Sequence, residues 1–155
     1  MNDFSHINEQ GRARMVDVTD KDITSREAIA EATVIVSEDT MNAILTGGIK
    51  KGDVLAVAQV AGIMAAKRTA DIIPMCHPLM LSAVDISFTH TATELHIQSV
   101  VRCKGSTGVE MEALTAASTA ALTVYDMCKA LQRDIEITNI RLIYKNGGKS
   151  GEFRR

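Results

Sequence analysis

The stretch ALTVYDMCKAL, residues 121 to 131, carries an acid and a base three residues apart, Asp126 and Lys129, in an otherwise apolar run. On a helix that spacing puts both side chains on one face. An ion pair at the rim of a core accounts for the pattern and adds only ~0.2–0.5 kcal/mol. A proton-transferring pair also accounts for it, because partial burial tunes an acid and an amine toward neutral pH.

Other polar points along the chain raise the same choice between structure and chemistry. Lys51 lies in the turn KKGD, residues 50 to 53, ahead of a helix. It is either a solvated loop lysine or a cation and proton donor aimed at an anionic group. Cys76 and His77 stand between Pro74 and Pro78. The two rings restrict the backbone and so fix where the imidazole points, toward a hydrogen-bond partner or a substrate. A metal site is disfavoured there, since the other His and Cys lack ligand spacing. GSTG, residues 105 to 108, precedes a helix start carrying Glu110 and Glu112. Such a turn offers free N–H groups, but the phosphate-binding order GxxxxGK[ST] is absent. The two acids either stabilise the helix dipole or accept from a donor-rich ring such as guanine or pterin, and they would repel a phosphate. Lys145, Lys149, Arg154 and Arg155 make the end of the chain basic, as a solubilising tail or as an arm over a polyphosphate.

These groups need elements to hold them. In REAIAEATVIV, residues 26 to 36, Ala28, Ala30, Ala32, Val34 and Val36 alternate. That favours a strand over the helix suggested by the capping-box pair Thr24 and Glu27. MVDV, residues 15 to 18, is a further strand candidate. Helices are expected at 38–46, capped by Ser37 and stopped by Gly47 and Gly48, at 54–71, and at 109–131. Residues 79–91 and 94–104 read as an antiparallel hairpin, and 134–145 as a last strand. The order gives a ferredoxin-like βαββαβ sandwich with an extra helix, an α+β fold whose antiparallel sheet is covered by helices. Residues 1–14 are expected to be a mobile arm, 15–146 one catalytic domain, and 147–155 a flexible basic tail. If one helix holds both Glu112 and Asp126, they lie ~21 Å apart along it. A single small substrate cannot touch both, so the ligand is long, or two sites or two subunits are involved.

The 155 residues suit one domain. Aromatics are 3% with no Trp, and the net charge is −2, which argues against nucleic-acid and anionic-membrane binding. Three cysteines without a CxxC, and no secretory signal, point to reduced thiols in a cytoplasm.

Four blocks in order, MVDVTDKDITSREA, AGIMAAKRTADIIPMCHPLMLS, GSTGVEMEALTAASTAALTVYDMCKAL and NGGKSGEF, resemble the MoaC family, from about residue 5 to residue 153. The family acts in molybdenum-cofactor biosynthesis. The resemblance implies a ferredoxin-like fold assembled as a hexamer, a trimer of dimers, with active sites at subunit interfaces. The implied reaction converts 3′,8-cyclo-7,8-dihydro-GTP to cyclic pyranopterin monophosphate and releases pyrophosphate. The family's catalytic residues fall on Asp126, Lys51 and Lys129. Its substrate contacts fall on Met75, Cys76 and His77 and on Glu110, Met111 and Glu112, with Arg26, Lys67, Lys145 and Lys149 as further contacts. No tightly bound cofactor is implied, although Mg²⁺ suits the substrate's triphosphate. Two rivals stand beside this reading: a nucleotide sensor that binds without turnover, and a scaffold that contacts other enzymes of the pathway.

Overall fold

The computed structural model of the chain describes residues 5–155. Strand β1 (Thr24–Ile35) is followed by helices α1 (Glu38–Thr46), α2 (Val54–Lys67) and α3 (Thr69–Ile72). Then come the hairpin β2 (Leu81–His90) and β3 (Glu94–Gly105), the long helix α4 (Glu110–Cys128), and strands β4 (Glu136–Asn146) and β5 (Phe153–Arg154). The strands form one antiparallel sheet in the order β2-β3-β1-β4-β5. With helices packed on it, this is the expected α+β ferredoxin-like sandwich.

Alternation builds the sheet. Ala28, Ala30, Ala32 and Val34 of β1 are completely buried, as are Leu95, Ser99 and Val101 of β3. The small side chains on β1 face small side chains on α4, where Ala113, Ala116, Ala117, Ala120 and Ala121 are also fully buried. A core without large aromatics is filled by bringing backbones close instead. Gly62 of α2 shows how close: a Cβ there would lie 3.0 Å from the Ala116 carbonyl oxygen and 3.1 Å from Ile86 Cδ1. Ser99 closes the one polar gap in this layer by donating to the Ala113 carbonyl at 2.6 Å.

Local chemistry sets the element ends. Ser37 caps α1 by accepting from the Thr40 N–H, and Gly47 ends it at φ 76°. Asp53 caps α2 by accepting from the Ala56 N–H. The helix expected over 54–71 breaks at Arg68, where Thr69 turns its hydroxyl back onto the Ala65 and Ala66 carbonyls and starts α3. Helix α4 stops at Cys128 rather than 131, because the Leu131 and Gln132 amides both turn back to the Cys128 carbonyl.

The segment MVDV is not a strand. Val16 gives its carbonyl to the His77 ring and Val18 gives its own to the Lys21 amide, so no ladder forms. Of the arm expected at 1–14, residues 5–14 make a small hairpin with a bridge between Ile7 and Ala13, and residues 1–4 lie outside those described. Within the tail, Phe153 and Arg154 pair with Lys145 and Tyr144, and Arg154 stacks over the Tyr144 ring.

Candidate active site

Helix α4 carries polar groups at both ends. At its C-terminal end Asp126 receives two ammonium groups. Lys129 Nζ lies 2.8 Å from Oδ1, and Lys51 Nζ lies 3.1 Å from Oδ2 and 3.0 Å from the Asp126 carbonyl oxygen. Lys51 arrives from the turn before α2, closed by the Gly52 amide on the Ile49 carbonyl, with Gly52 at φ 116°. All three side chains are about half exposed: Lys51 47%, Asp126 56%, Lys129 52%. The hydrogen bond from Lys129 and then that from Lys51 hold the Asp126 carboxyl below its ordinary range, and Asp126 in turn raises Lys129. Both shifts move away from neutral pH. Within one chain the three groups form an exposed ion cluster, not a pair tuned by burial.

The N-terminal end of α4 is different. A cavity of about 250 Å³ opens there, with Met75, Cys76 and His77 on one wall and Glu110, Met111 and Glu112 on another. Two segments distant in sequence thus share one cavity. Glu112 is 5% exposed, and its Oε2 has no hydrogen-bond partner. Burial, and to a lesser degree the charge of Glu110, push its carboxyl up to about 7, against the lowering effect of a backbone hydrogen bond. Burial also raises the Cys76 thiol, and Glu112 adds to that. Gly108 makes room for the Glu110 carboxylate, which a Cβ at that position would overlap. His77 is oriented by its Nε2 contact with the Val16 carbonyl. Because a carbonyl only accepts, Nε2 carries the proton, and Nδ1 is the acceptor of the neutral ring.

A second cavity of about 520 Å³ adjoins the first, sharing Lys21, Thr107, Gly108 and Glu110. Its lining is basic on balance: Arg26, Lys145 and Lys149 join Lys21, against the carboxylates of Asp22 and Glu110. Arg26 Nε donates to the Gly105 carbonyl at 3.3 Å. Gly147 (φ 101°) and Gly148 (φ 77°) wrap the Arg26 side chain so tightly that a Cβ at either position would collide with its neighbours. Lys145 is tied to the Ser150 hydroxyl, which shapes the loop carrying Lys149. The Thr24 hydroxyl, on the same lining, is buried without a partner. Lys67, at the end of α2, lines a small neighbouring cavity with His77 and Glu112.

The residues singled out in the sequence therefore fall into two groups. Met75 to His77, Glu110 to Glu112, Lys67, Arg26, Lys145 and Lys149 gather around the N-terminal end of α4. Lys51, Asp126 and Lys129 stand apart at the other end, fourteen residues along the helix, ~21 Å by its rise. Several cavity residues, among them His6, Val16 and Lys21, were not singled out as site residues from the sequence. Lys21, in DKD, reads only as a solvated turn, and His6 lies in a polar arm without periodicity. Among the described residues, no group of three or more His, Cys, Asp or Glu is placed to hold a metal ion. Nor, among the described residues, is any helix long and apolar enough to cross a membrane.

The sequence model of the MoaC family matches residues 15–148, which include the ion cluster and most of the lining of both cavities, though not Ser5, His6, Lys149 or Ser150. The chain belongs to the MoaC family. Relatives match over nearly their whole length. A protein of Geobacillus thermodenitrificans named cyclic pyranopterin monophosphate synthase is 60% identical, covering 100% of this chain and 98% of the relative. A protein of Lysinibacillus sphaericus with the same name is 57% identical over 99% of this chain and 98% of its own. One of Chloroflexus aggregans, again so named, is 57% identical over 98% of this chain and 93% of its own. With MoaC membership in place, the two cavities and the separate Asp126 cluster become parts to be assigned to one reaction.

Proposed function

We infer that this chain is a cyclic pyranopterin monophosphate synthase of molybdenum-cofactor biosynthesis, a lyase that releases pyrophosphate. The observation carrying the reading of the site is the pair of adjoining cavities, one with Glu110 and Glu112 on its wall and one in which four cations, Lys21, Arg26, Lys145 and Lys149, outnumber two carboxylates. A GTP-derived triphosphate has that polarity. At about 250 Å³ the first cavity is below the ~300–1,000 Å³ that encloses a drug-sized ligand, so it takes one ring system. The triphosphate then lies in the second, against Arg26, Lys145 and Lys149.

The substrate, 3′,8-cyclo-7,8-dihydro-GTP, becomes cyclic pyranopterin monophosphate when its ring system opens and recloses and a sugar hydroxyl attacks the α-phosphorus. The new P–O bond forms as the α–β bond breaks, and pyrophosphate leaves. Cations stabilise the departing charge. No tightly bound cofactor is part of this scheme; Mg²⁺ belongs with the substrate's triphosphate. Proton movements at the ring fall to Lys51, Asp126 and Lys129. With the ring in the first cavity and the triphosphate in the second, these lie ~21 Å along α4 from the ring, too far to reach it from the same chain, and they are too exposed there to be tuned. A second subunit resolves both points: its Asp126 cluster covers the cavities of the first and is itself covered. The assembly proposed is a homohexamer, a trimer of dimers, working in the cytoplasm.

Incubating the purified chain with the cyclic dihydro-GTP substrate tests the reading. Pyrophosphate and the pterin product should appear together, and both should be lost in Lys51→Ala and Lys129→Ala. Tight binding with neither product from the wild type would instead make the chain a sensor.

A further inference from the structure

We propose that the hairpin of residues 5–14 is a lid over the ring cavity and that His6 is a substrate-contacting residue carried by it. The proposal rests on the synthase reading of that cavity and names the part of the substrate that His6 reads.

Ser5 and His6 line the cavity that Glu110 and Glu112 line from α4. The hairpin holding them is stiff within itself. The Asn8 amide donates to the Arg12 carbonyl, the Gly11 amide to the Asn8 carbonyl, and the Arg14 amide to the His6 carbonyl. Asn8 Oδ1 accepts from the Gln10 and Arg12 amides at 3.0 and 2.9 Å. Gly11 makes the turn at φ 73°, a conformation that L side chains rarely adopt. Yet no residue of the hairpin is fully buried: Asn8 is half-buried, Ile7 keeps 43% of its surface exposed, and the others from Ser5 to Arg14 are exposed. A unit that is rigid internally and adds no fully buried side chain to the core sits at the low-stability end of a structure, where segments open as bodies. Its root is fixed close to the site, because Val16 holds His77.

The chemistry of the two sides is complementary. The α4 side supplies carboxylates, which accept from the N–H groups of a guanine-derived ring. That ring also has an acceptor edge at its carbonyl oxygen, although in the 7,8-dihydro substrate the neighbouring N7 carries hydrogen and donates. His6 and Lys21 supply donors from the other side of the same cavity. The Ser5 hydroxyl lies 3.2 Å from His6 Nδ1, so Nε2 is the ring nitrogen available to a ligand. His6 thus reads the acceptor edge as the lid closes, and closure excludes water from the ring chemistry.

The test compares wild type, His6→Ala, His6→Gln and the control Glu9→Ala. Two quantities are read: kcat and KM on the cyclic dihydro-GTP substrate, and GTP affinity by calorimetry. Loss of one hydrogen bond in a closed site should raise KM and weaken GTP binding by about tenfold in His6→Ala, ~1.4 kcal/mol. The Gln variant should recover part of the loss, and Glu9→Ala should match the wild type. Wild-type KM and GTP affinity in His6→Ala would overturn the proposal. If the wild type itself fails to turn over, the synthase reading falls, and the GTP affinities still decide whether His6 contacts the ring.

Discussion

Replacing Glu112 by Gln should change how the stability of this protein depends on pH. Glu112 is 5% exposed with an unpartnered Oε2, and its carboxyl is raised from 4.5 to about 7, chiefly by burial. The folded protein therefore holds this proton more tightly than the unfolded chain does. Below pH 4.5 the group is protonated in both states and contributes nothing to the pH dependence. Between 4.5 and 7 the unfolded chain loses its proton first, and stability falls as pH rises. Above about 7 the full cost of a buried charge is present, about 3 kcal/mol at ~1.4 kcal/mol per pH unit. Glutamine has the same shape and no charge. The stability of Glu112→Gln relative to wild type should thus climb by about 3 kcal/mol between pH 4 and pH 8. For a chain of this size that is ~6–12 °C in Tm. Urea denaturation and thermal melts at fixed protein concentration, across that range, measure it. Parallel pH profiles for the two proteins would refute the reasoning, for they would mean that Glu112 ionises as freely folded as unfolded.

Asp126→Asn should keep the fold of each chain, because within one chain its ion pairs are half exposed, while turnover falls by ~10²-fold or more if it moves a proton. Circular dichroism and product formation read the two effects separately. Gly62→Val should lose ~1–3 kcal/mol in urea, since its side chain would press on the Ala116 carbonyl and Ile86. Gly148→Ala should displace the Arg26 guanidinium and weaken product inhibition by pyrophosphate by about tenfold, with the pterin end of the site unaffected. An inhibition constant unchanged from wild type would remove Arg26 from the phosphate cavity.

The sheet was legible in the sequence because it is buried on one face. The period-two alanines of β1 outweighed the capping-box signal of Thr24 and Glu27, and burial of Ala28, Ala30 and Ala32 shows why. Helix α1 was legible to the residue, since Ser37 and Gly47 mark both ends. The breaks at Arg68 and Cys128 were not, because they depend on a Thr69 hydroxyl and on amides turning back, which leave the composition unchanged. MVDV misled for a related reason. Its alternation is real, but no strand lies beside it, and its carbonyls serve His77 and Lys21 instead. At the site, charged residues in apolar or proline-bracketed settings were visible one at a time. Their grouping was not: only the fold brings Met75 to His77 beside Glu110 to Glu112, and Arg26 beside Lys149. The distance from Glu112 to Asp126 followed from helical rise alone, and it carries the argument for a second subunit.

That argument has a direct measurement. Asp126→Asn protein and a variant carrying Glu112→Gln with Arg26→Ala are each expected to be nearly inactive. They are unfolded together in equal amounts, refolded, and assayed for pyrophosphate and pterin. If one subunit supplies the Asp126 cluster and its partner the cavities, random pairing leaves one intact site in each mixed dimer, ~25% of the wild-type total. Recovery near that level is the predicted result. A mixture no more active than its parents would contradict the account, and would place the whole reaction within one chain.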